Sequence, residues 1–128
     1  MKLFGTMGAF CCFLAVVAGA LGAHALKAHL IGSGGLSNFD LATGYMFFHG
    51  LALILLGLAC DRHPHISFRL SGYLFVAGTV LFQGNLYLIS LAGIRFFSIL
   101  TPVGGLCLMA GWLLFGYGAW QTKAKLGN

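Results

Sequence analysis

Four long apolar stretches, separated by short polar segments, dominate the pattern of this chain. A helix that spans the hydrocarbon core of a bilayer needs about 20 mostly apolar residues, and each stretch reaches that length. The pattern therefore predicts an all-α, four-helix transmembrane bundle, with helices at about 3–23, 41–60, 70–91 and 99–120. We expect residues 1–128 to form one integral membrane domain, because no linker, repeat or low-complexity tract interrupts them.

The first connection, residues 25–40, is the longest and differs from the other two. It holds Lys27, His29 and a Gly-Ser-Gly-Gly turn at residues 32–35. Glycine and serine mark a turn, and the residues beside it predict a short interfacial helix in this connection.

Composition supports a membrane environment and argues against nucleic acid. Hydrophobic residues make up 59% of the chain and charged residues 7%, whereas a soluble domain is about 25% charged. The net charge is +5, but the basic residues stand singly at the ends of apolar stretches, without the stripe that nucleic-acid binding needs. The expected partners are membrane lipids.

The distribution of basic residues predicts the orientation in the membrane. With four crossings, the N-terminus, the second connection and the C-terminus share one side. That side carries five basic residues and the other side two: Lys2, Arg62, Arg69, Lys123 and Lys125 against Lys27 and Arg95. The positive-inside rule then predicts a cell (inner) membrane protein with both termini in the cytoplasm.

Small residues recur along one face of the first and fourth helices. The positions are Gly8, Cys12, Ala15 and Gly19, and then Gly104, Gly111 and Gly118. Small side chains let helix backbones approach closely in a membrane. We expect these faces to pack inside the bundle, with association to a second copy or to another membrane protein as the alternative.

Polar residues at membrane depth form the candidate ligand site. They are His24, His49, Gln83, Asn85, Tyr87, Arg95 and Thr101. The predicted topology puts all seven in the outer half of the bundle, with His49 eight residues, or about 12 Å, into the second helix. One interpretation is an outward-opening pocket, since intramembrane polar groups are often functional; the other is hydrogen bonding between helices.

Enzymatic chemistry finds little support in the sequence. No nucleophile, zinc or phosphate-binding motif is present. The two carboxylates, Asp40 and Asp61, fall on opposite predicted sides of the membrane, so they cannot act as an acid–base pair. The segment Asp61, His63 and His65 is a weak metal candidate, and the four cysteines are expected to be free thiols. We therefore predict a protein that is not an enzyme and has no cofactor.

Four segments resemble a known family. They are Gly-Ala-Leu-Gly-Ala-His at 19–24, Tyr-Met-Phe-Phe-His at 45–49 with Ala-Leu at 52–53, Leu-Phe-Gln-Gly-Asn-Leu-Tyr at 81–87, and Thr-Pro-Val-Gly-Gly at 101–105 with Gly-Trp at 111–112. They are similar to motifs of the YgdD-like small membrane proteins, whose eukaryotic relatives are called transmembrane protein 256. The resemblance implies a four-helix multi-pass protein and brings no established activity.

One departure from the family pattern concerns the third helix. The family segment usually has serines where this chain has Gln83 and Asn85. These amides are longer and carry more hydrogen-bond donors than serine, which indicates a smaller pocket or a different ligand. His24, His49, Tyr87 and Thr101 match family motif positions.

Three functional hypotheses follow from the sequence. The first is a membrane protein that binds a lipid or small amphiphile in an outer-half pocket. The second is a structural or assembly protein that associates through its small-residue faces. The third, a small transporter, ranks last because the predicted inner half is almost wholly apolar.

Overall fold

The protein is a bundle of helices. The computed structural model describes residues 2–126, and side chains as far as residue 122; residues 1, 127 and 128 of the predicted domain and the side chains of Lys123 and Lys125 lie outside this part. Its helices are α1 (Lys2–Ala23), α2 (Lys27–Gly32), α3 (Leu36–Arg62), α4 (Ile66–Ala92) and α5 (Leu100–Leu126). All except α2 are long and apolar enough to span a membrane, which confirms the predicted fold class.

Three helices are longer than the sequence predicts, and one of them, α5, continues to Leu126, past the predicted end at about residue 120. α3 begins at Leu36, before the predicted start at about residue 41, and α4 begins at Ile66, before the predicted start at about residue 70. The prediction followed apolar side chains, whereas helical hydrogen bonding also continues through polar residues at each end. The break between α3 and α4 falls around Pro64, since a proline disfavours helical geometry in the residue before it.

The short helix expected in the first connection is present as α2. Its Leu30 is fully buried, so the connection is packed onto the bundle. His29 Nε2 lies 3.0 Å from the carbonyl oxygen of Leu91. Because that carbonyl can only accept, the imidazole donates to it and joins α2 to the last turn of α4.

The four spanning helices pack as two pairs. α1 packs mainly against α3, α5 packs mainly against α4, and contacts between α3 and α4 join the pairs. Phe4, Leu56 and Phe75 lie in the core between them, each almost without exposure. Many large apolar side chains remain on the outside, as expected of a surface that lipid covers.

Glycines allow the helices of each pair to approach closely. α1 and α3 cross at Gly8 and Gly50, where a Cβ added to Gly50 would lie 2.9 Å from the carbonyl oxygen of Gly8. α4 and α5 cross at Gly78 and Gly104, where a Cβ on Gly78 would lie 3.0 Å from the carbonyl oxygen of Gly104. These crossings leave no room for a side chain.

Most of the small residues singled out from the sequence lie at contacts within the bundle. On α1, Ala15 is buried, Cys12 is half-buried and Gly19 is exposed. On α5, Gly111 and Gly118 are buried, against the rings of Phe75 and Phe68 of α4.

Candidate functional site

A π-helical segment interrupts α4 over Thr79–Gly84. Such segments are rare and are frequent at functional sites. Gln83 lies within it and is 1% exposed. With its amide nitrogen facing the backbone, Gln83 Nε2 donates to the carbonyl oxygens of Gly78 at 3.2 Å and Thr79 at 2.8 Å. The side chain therefore hydrogen-bonds the backbone of its own helix where the regular pattern is broken.

Asn85 follows the π-helical segment and points towards α5. Its Nδ2 donates to Thr101 Oγ1 at 2.6 Å, so the bond joins α4 to the first turn of α5. The amide is 3% exposed, and its Oδ1 is buried without a hydrogen-bond partner among the described residues.

A groove on the membrane-facing side of α4 and α5 borders Asn85. We call it the Asn85 groove; its volume is about 380 Å³. Its lining residues are Val80, Leu81, Gly84, Asn85, Leu88, Phe97 and Leu100. The groove is apolar apart from the amide, and Phe97 belongs to the connection that carries Arg95.

Tyr87 bonds in a different direction, to α3. Its hydroxyl lies 2.8 Å from Thr43 Oγ1, and Thr43 Oγ1 itself donates to the carbonyl oxygen of Phe39 at 2.8 Å. Thr43 thus accepts from Tyr87, whose ring packs edge-on against Phe39. Tyr87 borders a second groove of about 340 Å³, formed with residues of α1 and α3.

His49 forms a third polar contact, between α3 and α5. Its Nδ1 lies 2.8 Å from the carbonyl oxygen of Tyr45, and Trp112 Nε1 donates to its Nε2 at 3.1 Å. A carbonyl only accepts and an indole N–H only donates, so this geometry requires a proton on Nδ1 and none on Nε2. The hydrogen bonds therefore select one neutral tautomer.

The position of His49 along α3 follows from the bounds of the helix. Because α3 begins at Leu36, His49 lies 13 residues from either end of the helix, or about 20 Å along its axis. His49 is therefore at the middle of the helix. It borders a third groove of about 500 Å³, which Tyr45 and Trp112 also line.

Two of these hydrogen-bonding partners, Thr43 and Trp112, are not among the candidate site residues predicted from the sequence. Trp112 carried a usable signal: a tryptophan at mid-span has an indole N–H that needs an acceptor away from water. Thr43 carried none, since a threonine in a helix can satisfy its own hydroxyl by bonding the preceding turn.

The remaining two candidates lie outside the helices. His24 is exposed in the turn after α1, and Arg95 is exposed in the connection before α5. Three of the seven candidate residues, His49, Asn85 and Tyr87, border three different grooves. His24 and Arg95 are exposed between helices, and Gln83 and Thr101 line none of the three grooves. A ligand-binding role for each of them stays a prediction. Within residues 2–126, no cluster of three or more His, Cys, Asp or Glu could hold a metal ion.

The helices and their polar contacts define a small multi-pass integral membrane protein. The chain belongs to the family described as "Protein of unknown function (DUF423)", whose model matches residues 18–105. This membership confirms the resemblance that the sequence motifs indicated.

Curated relatives match almost the whole chain. The UPF0382 membrane protein SH2409 of Staphylococcus haemolyticus is 40% identical over 89% of this chain and 92% of its own. The UPF0382 inner membrane protein YgdD of Escherichia coli K12 is 38% identical over 88% of this chain and 86% of its own. No solved structure matches the chain significantly.

Proposed function

We propose that this protein is a non-enzymatic membrane protein that binds a lipid or small amphiphile in the Asn85 groove. The observation that carries the proposal is an apolar groove of about 380 Å³ beside a π-helical segment. Ligand pockets are mostly apolar, contain a few polar groups and start at about 300 Å³. The groove meets each of these conditions.

Gly84 supports the proposal because it keeps the groove open. A Cβ built at this position would have no atom within 4 Å, so packing does not require glycine here. In a helix interior, glycine costs about 1 kcal/mol relative to alanine. Packing does not explain this glycine, whereas a binding role would, because the missing side chain leaves room for a ligand in the groove.

The carboxylates support the non-enzymatic part of the proposal. Asp40 and Asp61, the two acidic residues of the chain, are 21 positions apart on α3. This separation is about 30 Å along a helix axis. They cannot meet at one reaction centre.

We also propose an inner-membrane location with both termini in the cytoplasm. The bounds of the helices leave five basic residues at one end of the bundle and two, Lys27 and Arg95, at the other. The name of the Escherichia coli relative, an inner membrane protein, supports the location. In this orientation the Asn85 groove lies in the outer half of the membrane.

The proposed function can be tested by native mass spectrometry of protein released from detergent after purification from membranes. We expect a retained lipid-sized mass on the wild type. Gly84→Leu should abolish it, because the new side chain would fill the groove. Gly116→Leu is the matched control, since Gly116 also has no atom within 4 Å of its Cβ position and does not line the groove.

Two outcomes would contradict the proposal. One is a bound mass that survives Gly84→Leu unchanged. The other is a wild type without any retained mass; if that protein is also a stable oligomer, it favours the alternative of an assembly protein.

A further inference from the structure

We infer that the ligand of the Asn85 groove is an anionic phospholipid, with an acyl chain in the groove and its phosphate bound by the guanidinium of Arg95. The inference rests on the proposed function, because it names the headgroup of the molecule that the groove would hold.

The connection between α4 and α5 forms one end of the groove. Residues 95–98 make a tight turn, in which the backbone N–H of Ser98 donates to the carbonyl oxygen of Arg95 at 3.0 Å. Phe97 belongs to this turn and lines the groove. From there the groove extends along α4 from Leu88 to Val80, which is about 12 Å of helix. Arg95 therefore lies in the turn at the open end of an apolar groove.

Exposed apolar side chains show that this connection contacts lipid. Phe96 is 86% exposed and Ile99 is 70% exposed. Exposed apolar groups of this size mark an interaction surface or contact with a membrane, and these two lie between the ends of two helices that are long and apolar enough to span one. Arg95 directly precedes Phe96 and is itself exposed. Because a long basic side chain at a helix end extends to the membrane interface, its guanidinium is at the level of the lipid phosphates.

Charge then selects the type of headgroup. A guanidinium binds phosphate through paired hydrogen bonds, so Arg95 supplies the contact for a phosphodiester. The two acidic residues of the chain, Asp40 and Asp61, are both on α3, and neither lines the groove. An ammonium group on the ligand would therefore meet Arg95 without a carboxylate to offset it. A phospholipid without an ammonium group, such as phosphatidylglycerol, fits this charge.

The test compares two lipids with the same chains and the same phosphate. Purified protein in detergent is titrated with dioleoyl phosphatidylglycerol or with dioleoyl phosphatidylcholine, and the bound fraction is measured by native mass spectrometry. We expect the wild type to bind phosphatidylglycerol about fivefold more tightly, the usual effect of one basic residue beside anionic lipid. In Arg95→Gln the two lipids should bind alike. Its thermal unfolding in detergent should match that of the wild type, because Arg95 is exposed.

Two controls separate a site at Arg95 from a general effect of charge. Lys27→Gln removes the other basic residue at this end of the bundle; Lys27 is exposed and does not line the groove, so this variant should keep the preference. An excess of glycerol phosphate, which has the phosphate but no chains, should not displace the bound lipid. If it does, the ligand of Arg95 is a free phosphate ester and the inference fails.

The remaining outcomes distinguish this inference from the proposed function. Equal affinity of the wild type for both lipids overturns the headgroup inference while the groove stands. A preference that survives Arg95→Gln, or that is lost equally in Lys27→Gln, overturns it in the same way. Gly84→Leu should abolish binding of both lipids. If neither lipid binds the wild type, or if Gly84→Leu leaves binding intact, the proposed function fails as well.

Discussion

Trp112 Nε1 donates a hydrogen bond to His49 Nε2 across 3.1 Å, near the midpoints of α3 and α5. The bond joins two helices that make few backbone contacts with each other. It also fixes the tautomer of a histidine that is 5% exposed. A polar pair at this depth therefore ties one helix pair of the bundle to the other.

This pair predicts a measurable coupling energy. We expect Trp112→Phe and His49→Phe to destabilise the protein, with a coupling of about 0.6–1.7 kcal/mol in a double-mutant cycle. The measurement is unfolding by sodium dodecyl sulfate in mixed micelles. Trp120→Phe is the control and should have little effect, because Trp120 is 77% exposed. Strict additivity of the two substitutions would show that the bond contributes nothing.

The amide of Gln83 should be important for the stability of the π-helical segment. Gln83→Leu removes the amide that donates hydrogen bonds to the carbonyl oxygens of Gly78 and Thr79. We therefore expect the free energy of unfolding to fall by about 1–2 kcal/mol. Gln121→Leu is the comparison, since Gln121 bonds the exposed hydroxyl of Tyr117. Equal losses in the two variants would contradict this role for Gln83.

The crossing of α4 and α5 should not tolerate a side chain at Gly104. A Cβ there would lie 2.5 Å from the backbone nitrogen of Phe82, so Gly104→Ala has to push the helices apart. We expect a loss of about 1–3 kcal/mol, measured by thermal unfolding in detergent. Gly116→Ala should be neutral or stabilising, because its position is open and alanine favours helix.

Reporter fusions can test the proposed orientation. Green fluorescent protein fused after residue 128 should fluoresce, because it folds in the cytoplasm, and alkaline phosphatase fused there should be inactive. Alkaline phosphatase fused after Ser98, in the connection that carries Arg95, should be active. The reverse pattern would invert the topology and put the Asn85 groove in the inner half of the membrane.

The contact between α2 and α4 gives a further prediction. His29 donates to the carbonyl oxygen of Leu91, in the last turn of α4. His29→Ala should lower the free energy of unfolding by about 1 kcal/mol, whereas His24→Ala, in the exposed turn after α1, should have almost no effect. Thermal unfolding of both variants in the same detergent measures the difference.

The candidate site could be predicted from the sequence only in part. Polarity at membrane depth indicated that His49, Asn85 and Tyr87 would have interhelical or ligand roles. The sequence did not predict that Tyr87 turns to α3 while Asn85 turns to α5. A spacing of two residues already makes Asn85 and Tyr87 point to nearly opposite sides of a helix, but which neighbouring helix lies on each side depends on packing between helices.

The sequence by itself determined four spanning helices, a short helix in the first connection and the family. An apolar stretch of about 20 residues matches the thickness of the hydrocarbon core. Within that core its backbone groups must be hydrogen-bonded inside the segment, so the stable form is a spanning helix. Tertiary structure alone decided that Trp112 meets His49, that Gly8 meets Gly50, and that His49, Asn85 and Tyr87 border three separate grooves. These are contacts between helices, and they depend on packing angles that residue spacing along one helix does not encode.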